Sequence, residues 1–243
     1  MANVICMKWG SAYGPDDVNV LYSMVRRHLA FVPRFVCFTD DASGLDPAIE
    51  TQPIPEFDVP AFTAHKPWRK LTTLMPGFGG LSGKTLFLDL DVVVTGDLDP
   101  LFEYSDKFAI SENWSQPGTG VGNSSVYCYE IGQYAWVLDV YRRDYETLFA
   151  QYPNSQTFMS KTLGPENIDY WPPDWVVSFK YTCMDRGPMR VLTNAVQVPH
   201  LPEGARVVAF HGNPKPSDAL AGRYPGPWYK RVRATPWIAQ HYK

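Results

Sequence analysis

The stretch KTLFLDLDVVVTGDLDPLF, residues 84–102, decides how this chain is read. Lys84 to Leu88 has the apolar make-up of a buried strand, and Val92 to Val94 resumes it, yet Asp89 and Asp91 stand between them. Side chains two apart on an extended chain project to one side, so the two carboxylates form a pair with Leu90 turned away. Two ionised carboxylates held that close repel each other and call for a cation. A hard divalent ion, Mn²⁺ or Mg²⁺, takes oxygen ligands and keeps positions open for phosphate oxygens. Open parallel sheets bind ligands at such strand ends. The plainer reading is a strand that stops, with Asp89 capping a turn and Asp91 in water; the valines that follow oppose it, because they keep the chain buried.

Working outward, strands alternate with helical segments. NVICMKW (3–9) and RFVCFTD (34–40) read as strands. In PDDVNVLYSMVRRHLA (15–30) the apolar residues recur at helical spacing, with Asp16 and Asp17 at the start and Arg26, Arg27 and His28 at the end, charges matched to the helix dipole. PWRKLTTLM (67–75) reads as a second helix feeding the Lys84 strand. This order predicts an α/β fold with a mostly parallel sheet. From residue 115 the pattern loosens into short strands, a helix over 132–144 and a Pro- and Trp-rich segment at 170–181. The expectation is one domain over 1–243: a Rossmann-like nucleotide-binding half (1–114), a less regular acceptor and metal/phosphate side (115–218) and a basic-aromatic tail (219–243).

The 243 residues are 45% hydrophobic and 14% aromatic, enough for a sizeable core. A net charge of -3 provides no global positive field to recruit nucleic acid. Cys6, Cys37, Cys128 and Cys183 are widely spaced with no C-x-x-C pair and read as core thiols of a reducing compartment. With no basic leader and no uninterrupted apolar span, the expected location is cytoplasmic.

A second strand-then-loop stretch, VVAFHGNPKPSD (207–218), makes chemical sense beside the first. His211 can offer an imidazole nitrogen to a metal, Gly212 lets backbone approach a ligand, and Lys215 is a point charge suited to phosphate. FLDLDVVV, NSSV and FHGNPKP, in that order, resemble the motifs of retaining sugar transferases related to glycogenin and the bacterial lipooligosaccharide galactosyltransferases (glycosyltransferase family 8-like). The resemblance runs from the first strand to about residue 216. It implies a GT-A fold and transfer of a hexose-type sugar from a UDP-sugar donor.

It further implies that Asp89, Asp91 and His211 hold a Mn²⁺ (or Mg²⁺) between the donor phosphates, with Lys215 adding charge stabilisation. Lys70, where many relatives carry Arg, corresponds to the basic residue that contacts donor phosphate or sugar. In the first strand-helix loop, Tyr13 is the candidate to stack on the base, with Lys8 and Thr39 making polar contacts and Gly212 close to the phosphates. Asn123 borders the donor sugar and acceptor, and Gln156 lies near the reacting carbon. Ser155 stands where relatives carry Asp, so a carboxylate that could bond sugar hydroxyls is absent.

No residue reads as a nucleophile, and retention is the expected outcome; in an inverting alternative, Asp169 or Asp174 could serve as general base. FLDLDV also resembles the opening of haloacid-dehalogenase-like phosphohydrolases, but lacks the glycine that follows there. A third reading is a non-catalytic nucleotide-sugar-binding homologue. The tail GRYPGPWYKRVRATPWIAQHYK (222–243) has no acidic residue and interleaves cations with Tyr and Trp. Such a segment suits peripheral contact with the inner face of a membrane and a glycan or lipid-linked acceptor; the alternative is a tail packed on the domain.

Overall fold

The computed structural model describes residues 2–58, 67–143 and 145–243; Asp144, the last residue of the helix expected over 132–144, lies outside them. Among the described residues ten strands fall in the order β1 (Asn3–Lys8), β2 (Arg34–Thr39), β3 (Glu50–Gln52), β4 (Lys84–Leu88), β5 (Val92–Val94), β6 (Phe108–Glu112), β7 (Gly122–Glu130), β8 (Ile168–Tyr170), β9 (Val176–Ser178) and β10 (Val207–Ala209). Seven make the main sheet in the order β3-β2-β1-β4-β7-β6-β8, and three make a small second sheet, β5-β10-β9.

The first half matches the expected parallel pattern: β1 pairs in parallel with β2, Cys6 opposite Cys37, and with β4, Val4 opposite Leu86. Along β1, Val4 and Cys6 face one core and Ile5 and Met7 the other. Both sheet faces are therefore covered, which is why these strands read as continuous apolar runs. Helix α1 (Pro15–Arg27) buries Val18, Leu21, Met24 and Val25 against the first face, and Asp17 accepts the Gly14 N–H at its start (2.8 Å). All four cysteines are buried and free.

The main sheet is mostly parallel, as expected: β1–β2, β1–β4, β2–β3 and β6–β8 pair in parallel, and β7 runs antiparallel to both β4 and β6. At nine residues β7 is also longer than any other described strand and sits mid-sheet, so the looseness read after residue 115 concealed the element that joins the two halves. The segment expected as a second helix is a 3₁₀ helix, Pro67–Leu74. Its Thr72 and Thr73 hydroxyls bond the carbonyls three residues back (2.7 Å each), a local alternative to α-helical pairing. The helix expected over 132–144 begins only at Trp136, as α3 (Trp136–Arg143), after the short α2 (Asp99–Glu103). Next come α4 (Tyr145–Gln151) and α5 (Ser155–Leu163).

The opening stretch now has its structural explanation. Lys84–Leu88 belongs to the main sheet and Val92–Val94 to the small one, so Asp89-Leu90-Asp91 is the crossing between sheets. β5 pairs antiparallel with β10, Val92 opposite Ala209, and the Phe210 N–H donates to the Asp91 carbonyl (2.8 Å). That pairing brings the residue after Phe210, His211, to the same edge.

Candidate active site

A cleft of about 560 Å³ opens at this edge, lined by Tyr13, Lys70, Asp89, Asp91, Asn123, Gln156, His211 and Gly212 among others. Eight of the sequence candidates thus meet in one cavity. Lys8, Thr39 and Lys215 are not part of its lining. Lys8 Nζ donates to the Asp41 carbonyl (2.9 Å), as does the Thr39 hydroxyl (2.9 Å), so both close the turn after β2. Lys215 reaches back to the Ala12 carbonyl and places its ammonium 4.1 Å from the centre of the Tyr13 ring.

Asp89 leaves β4 with its N–H bonded to the Ser125 carbonyl on β7 (2.8 Å) and its carboxylate on Lys70 Nζ (2.7 Å). Lys70 is also tied to the Ser124 carbonyl (3.1 Å). Burial raises the Asp89 carboxyl and the Lys70 ammonium offsets part of that rise. Asp91 accepts from the Tyr13 hydroxyl (3.0 Å); burial and the neighbouring Asp89 push its carboxyl up to about 7. Two neighbouring carboxylates, Asp91 buried and Asp89 partly so, have one lysine between them, and the surplus negative charge is the feature that a divalent cation would balance.

His211 extends from the end of β10. Its Nε2 bonds the Ser178 hydroxyl (2.7 Å) at the end of neighbouring β9, its ring lies between Trp114 (5.6 Å) and Tyr181 (5.7 Å), and Lys180 holds its carbonyl. Burial and the Lys180 charge lower the imidazole to about 4, so the ring is neutral near neutral pH and offers a nitrogen lone pair. Gly212 follows with φ +82°, a conformation glycine adopts without a Cβ clash.

On the opposite wall, Asn154 caps α5 by accepting the Thr157 N–H (2.9 Å), which presents Gln156 in the first turn. Gln156 Oε1 accepts from the Ser124 N–H (3.3 Å), and Asn123 Oδ1 from the Ser125 N–H (3.0 Å). Ser155 points away: it is buried and donates to the Pro67 carbonyl (3.1 Å), pinning α5 to the segment that carries Lys70. In this chain Ser155 is a packing residue. Asp169, on β8, accepts from the Ser105 hydroxyl (2.6 Å), and neither it nor Asp174 lines the cleft.

Sequence reasoning missed Ser178, Lys180, Trp114 and Tyr181, which hold His211. Their signal was unreadable without the β9–β10 register, which sets Ser178 opposite Ala209.

As a donor set for a divalent ion, Asp89, Asp91 and His211 supply suitable oxygen and nitrogen atoms on one cavity wall. Among the described residues they are not gathered into a ready-made cluster of three ligands, because Asp89 is turned to Lys70 and His211 to Ser178.

These elements define a GT-A fold, a mixed α/β sheet with a ligand cleft at its strand ends. The structure resembles galactosyltransferase LgtC solved with donor and acceptor sugar analogues (TM-score 0.59, 18% identity, 89% of each chain) and an active-site mutant of LgtC (0.57, 13%, 89% of each). It also resembles the glycosyltransferase GlyE of Streptococcus pneumoniae TIGR4 (0.56, 15% identity, 89% of this chain); the chain spans 56% of GlyE's length. No known family profile matches the sequence. No curated protein matches it at a significant level.

Proposed function

We propose that the protein is a metal-dependent glycosyltransferase that moves a hexose-type sugar from a UDP-sugar to a hydroxyl of a glycan, lipid-linked or other acceptor, with retention at the transferred carbon. The observation that carries this reading is the meeting of Asp89, Asp91, Lys70, Asn123, Gln156 and His211 in one cleft at the strand ends of a GT-A fold. The structural likeness to glycosyltransferases points the same way.

Asp89, Asp91 and His211 would hold the divalent ion. When bound, it supplies Lewis-acid stabilisation of the charge that develops on departing UDP. Lys70 is fixed by Asp89 and Ser124 where it can meet a phosphate or sugar oxygen from the cleft side. Asn123 and Gln156, which line the cleft, would orient sugar hydroxyls through their amides. Neutral His211 has one ring nitrogen with a free lone pair and needs no deprotonation near pH 7 before it could bind a metal. Apart from Asp89 and Asp91 no carboxylate lines the cleft among the described residues, and this supports a retaining path with neither an enzymic carboxylate nucleophile nor an inverting base.

Calorimetry of UDP binding with Mn²⁺, then with the metal chelated, tests the reading, with Asp91→Ala as control. Binding is expected only with both metal and Asp91; removing a charged ligand group of this kind weakens it by about 10-fold or more. UDP-sugars are then screened for turnover, and the anomeric configuration of the product is read by NMR. Absence of UDP binding in every condition overturns the proposal; UDP binding without turnover on any donor leaves a non-catalytic binder.

A further inference from the structure

Beside the cleft lies a second, open pocket of about 370 Å³ whose lining carries five cations, Lys180, Arg186, Arg190, Lys230 and Arg231. Among the described residues none of the five forms an ion pair. The lone acid in the lining, Asp185, is already occupied: its oxygens accept from the Thr193 hydroxyl and the Gly187 N–H (2.8 Å). Lys230 and Arg186 bear on Lys180 as like charges. A concave surface that gathers five cations with no carboxylate paired to them presents a local positive field that attracts an anion.

The pocket is joined to the site by a wall of planar groups. Trp114 lies parallel to His211, His211 faces Tyr181, and the Arg186 guanidinium covers the far side of this wall, 3.9 Å from the Tyr181 ring centre. Lys180 belongs to both regions, since it lines the basic pocket while its ammonium holds the His211 carbonyl. A ligand seated in the pocket therefore sits just past His211, outside the cleft that contains the paired aspartates. Tyr224 and Tyr229 on its sides offer ring surface to a pyranose, and the arginines offer paired N–H donors to a tetrahedral oxyanion.

We propose that this pocket binds a phosphate group carried by the acceptor, so that the acceptor of the transfer is a phosphorylated saccharide. The pocket's affinity for phosphate stands on its own charges; its assignment to an acceptor rests on the glycosyltransferase reading above.

The test measures binding to the full-length protein presaturated with UDP and Mn²⁺, using glucose 6-phosphate, glucose and farnesyl phosphate as probes. Unliganded protein is run in parallel, and UDP affinity is measured separately. Glucose 6-phosphate is expected to bind about tenfold or more tighter than glucose. The double variant Arg186→Gln/Lys230→Gln, whose side chains are exposed, is expected to lose that preference while its melting temperature and UDP affinity stay unchanged. Arg190→Gln is expected to lose part of it. Tighter binding of farnesyl phosphate than of glucose 6-phosphate, lost in the double variant, keeps the phosphate site and assigns its phosphate to a prenyl-linked acceptor.

Three results overturn it. One is equal binding of glucose and glucose 6-phosphate. Another is a loss of UDP affinity in the double variant together with competition between UDP and glucose 6-phosphate, which would make the pocket the donor's own diphosphate site. The third is capture of phosphatidylglycerol vesicles, lost in the double variant, without any response to either soluble phosphate. If UDP fails to bind while glucose 6-phosphate binds through Arg186 and Lys230, the phosphate pocket survives and the transferase reading is what fails.

Discussion

At the scale of single residues, the Lys70–Asp89 pair governs both stability and the field of the site. The two side chains meet at 2.7 Å, with Lys70 only 10% exposed and Asp89 23%. Removing Lys70 leaves the largely buried Asp89 carboxylate without its counter-ion, which costs more than the pair contributes when intact. Lys70→Met is therefore expected to destabilise the protein by about 3 kcal/mol, and adding Asp89→Asn to it is expected to recover most of the loss. Urea denaturation of the two variants checks this; equal stability of single and double variants would show that Asp89 finds water or another donor. Asp89 and Asp91 were legible from the sequence because acids inside an apolar run have few structural explanations. Ser178 was not, because a serine after two valines is unremarkable until β9 is seen beside β10.

At the scale of elements, strand pairing decides which loops meet. β3 is a short edge strand held to β2 by pairing and by the bidentate Arg34–Glu50 contact (2.6 and 2.7 Å). Arg34 holds the Glu50 carboxyl down at about 2, against about 4.5 in an unfolded chain. A carboxyl whose native value is depressed stabilises fully above the unfolded value and loses that contribution as pH falls toward the native one. The wild type is thus expected to lose melting temperature between about pH 4.5 and 2 more steeply than Glu50→Gln. Both groups are one-third exposed, so the difference at neutral pH is about 0.5–1 kcal/mol. Parallel melting curves over that range would show that the pair adds nothing. The parallel β1, β2 and β4 were readable as apolar runs, while the antiparallel β7 was not. Its NSSVYCYE sequence, residues 123–130, puts polar and aromatic side chains in a buried strand, and neighbours on both sides satisfy them.

At the scale of the whole molecule, the C-terminal segment splits into two parts with different fates. Ile238, in the short C-terminal helix Trp237–His241, is fully buried, Trp237 Nε1 donates to the Pro199 carbonyl (2.9 Å), and Arg27 holds the carbonyls of His241 and Lys243. This part packs on the domain. Trp228, by contrast, is 79% exposed. Ending the chain at residue 233 is expected to lower stability by about 3 kcal/mol or more, from the apolar burial of Ile238 and Trp237 alone, whereas Trp228→Ala should stay within about 0.5 kcal/mol. Differential scanning calorimetry separates the two, and sedimentation with anionic vesicles asks whether Trp228 contributes membrane contact. No described helix is long and apolar enough to cross a membrane.

The sequence alone determined the α/β class and the acids at the end of a strand, along with the histidine-glycine-lysine loop that belongs near them. Periodicity, turn residues and misplaced charge are local properties and survive in a linear string. Only the tertiary structure decided that the paired aspartates bridge two sheets, that Ser155 packs against Pro67 while Gln156 faces the cleft, and that Lys8, Thr39 and Lys215 are turned to backbone carbonyls. It also gathered Lys180 and Arg186 with Lys230 into one basic pocket beside His211. These outcomes follow from long-range strand pairing and from which neighbour supplies the nearest carbonyl or carboxylate, and no local pattern encodes the identity of a partner 40 or 80 positions away.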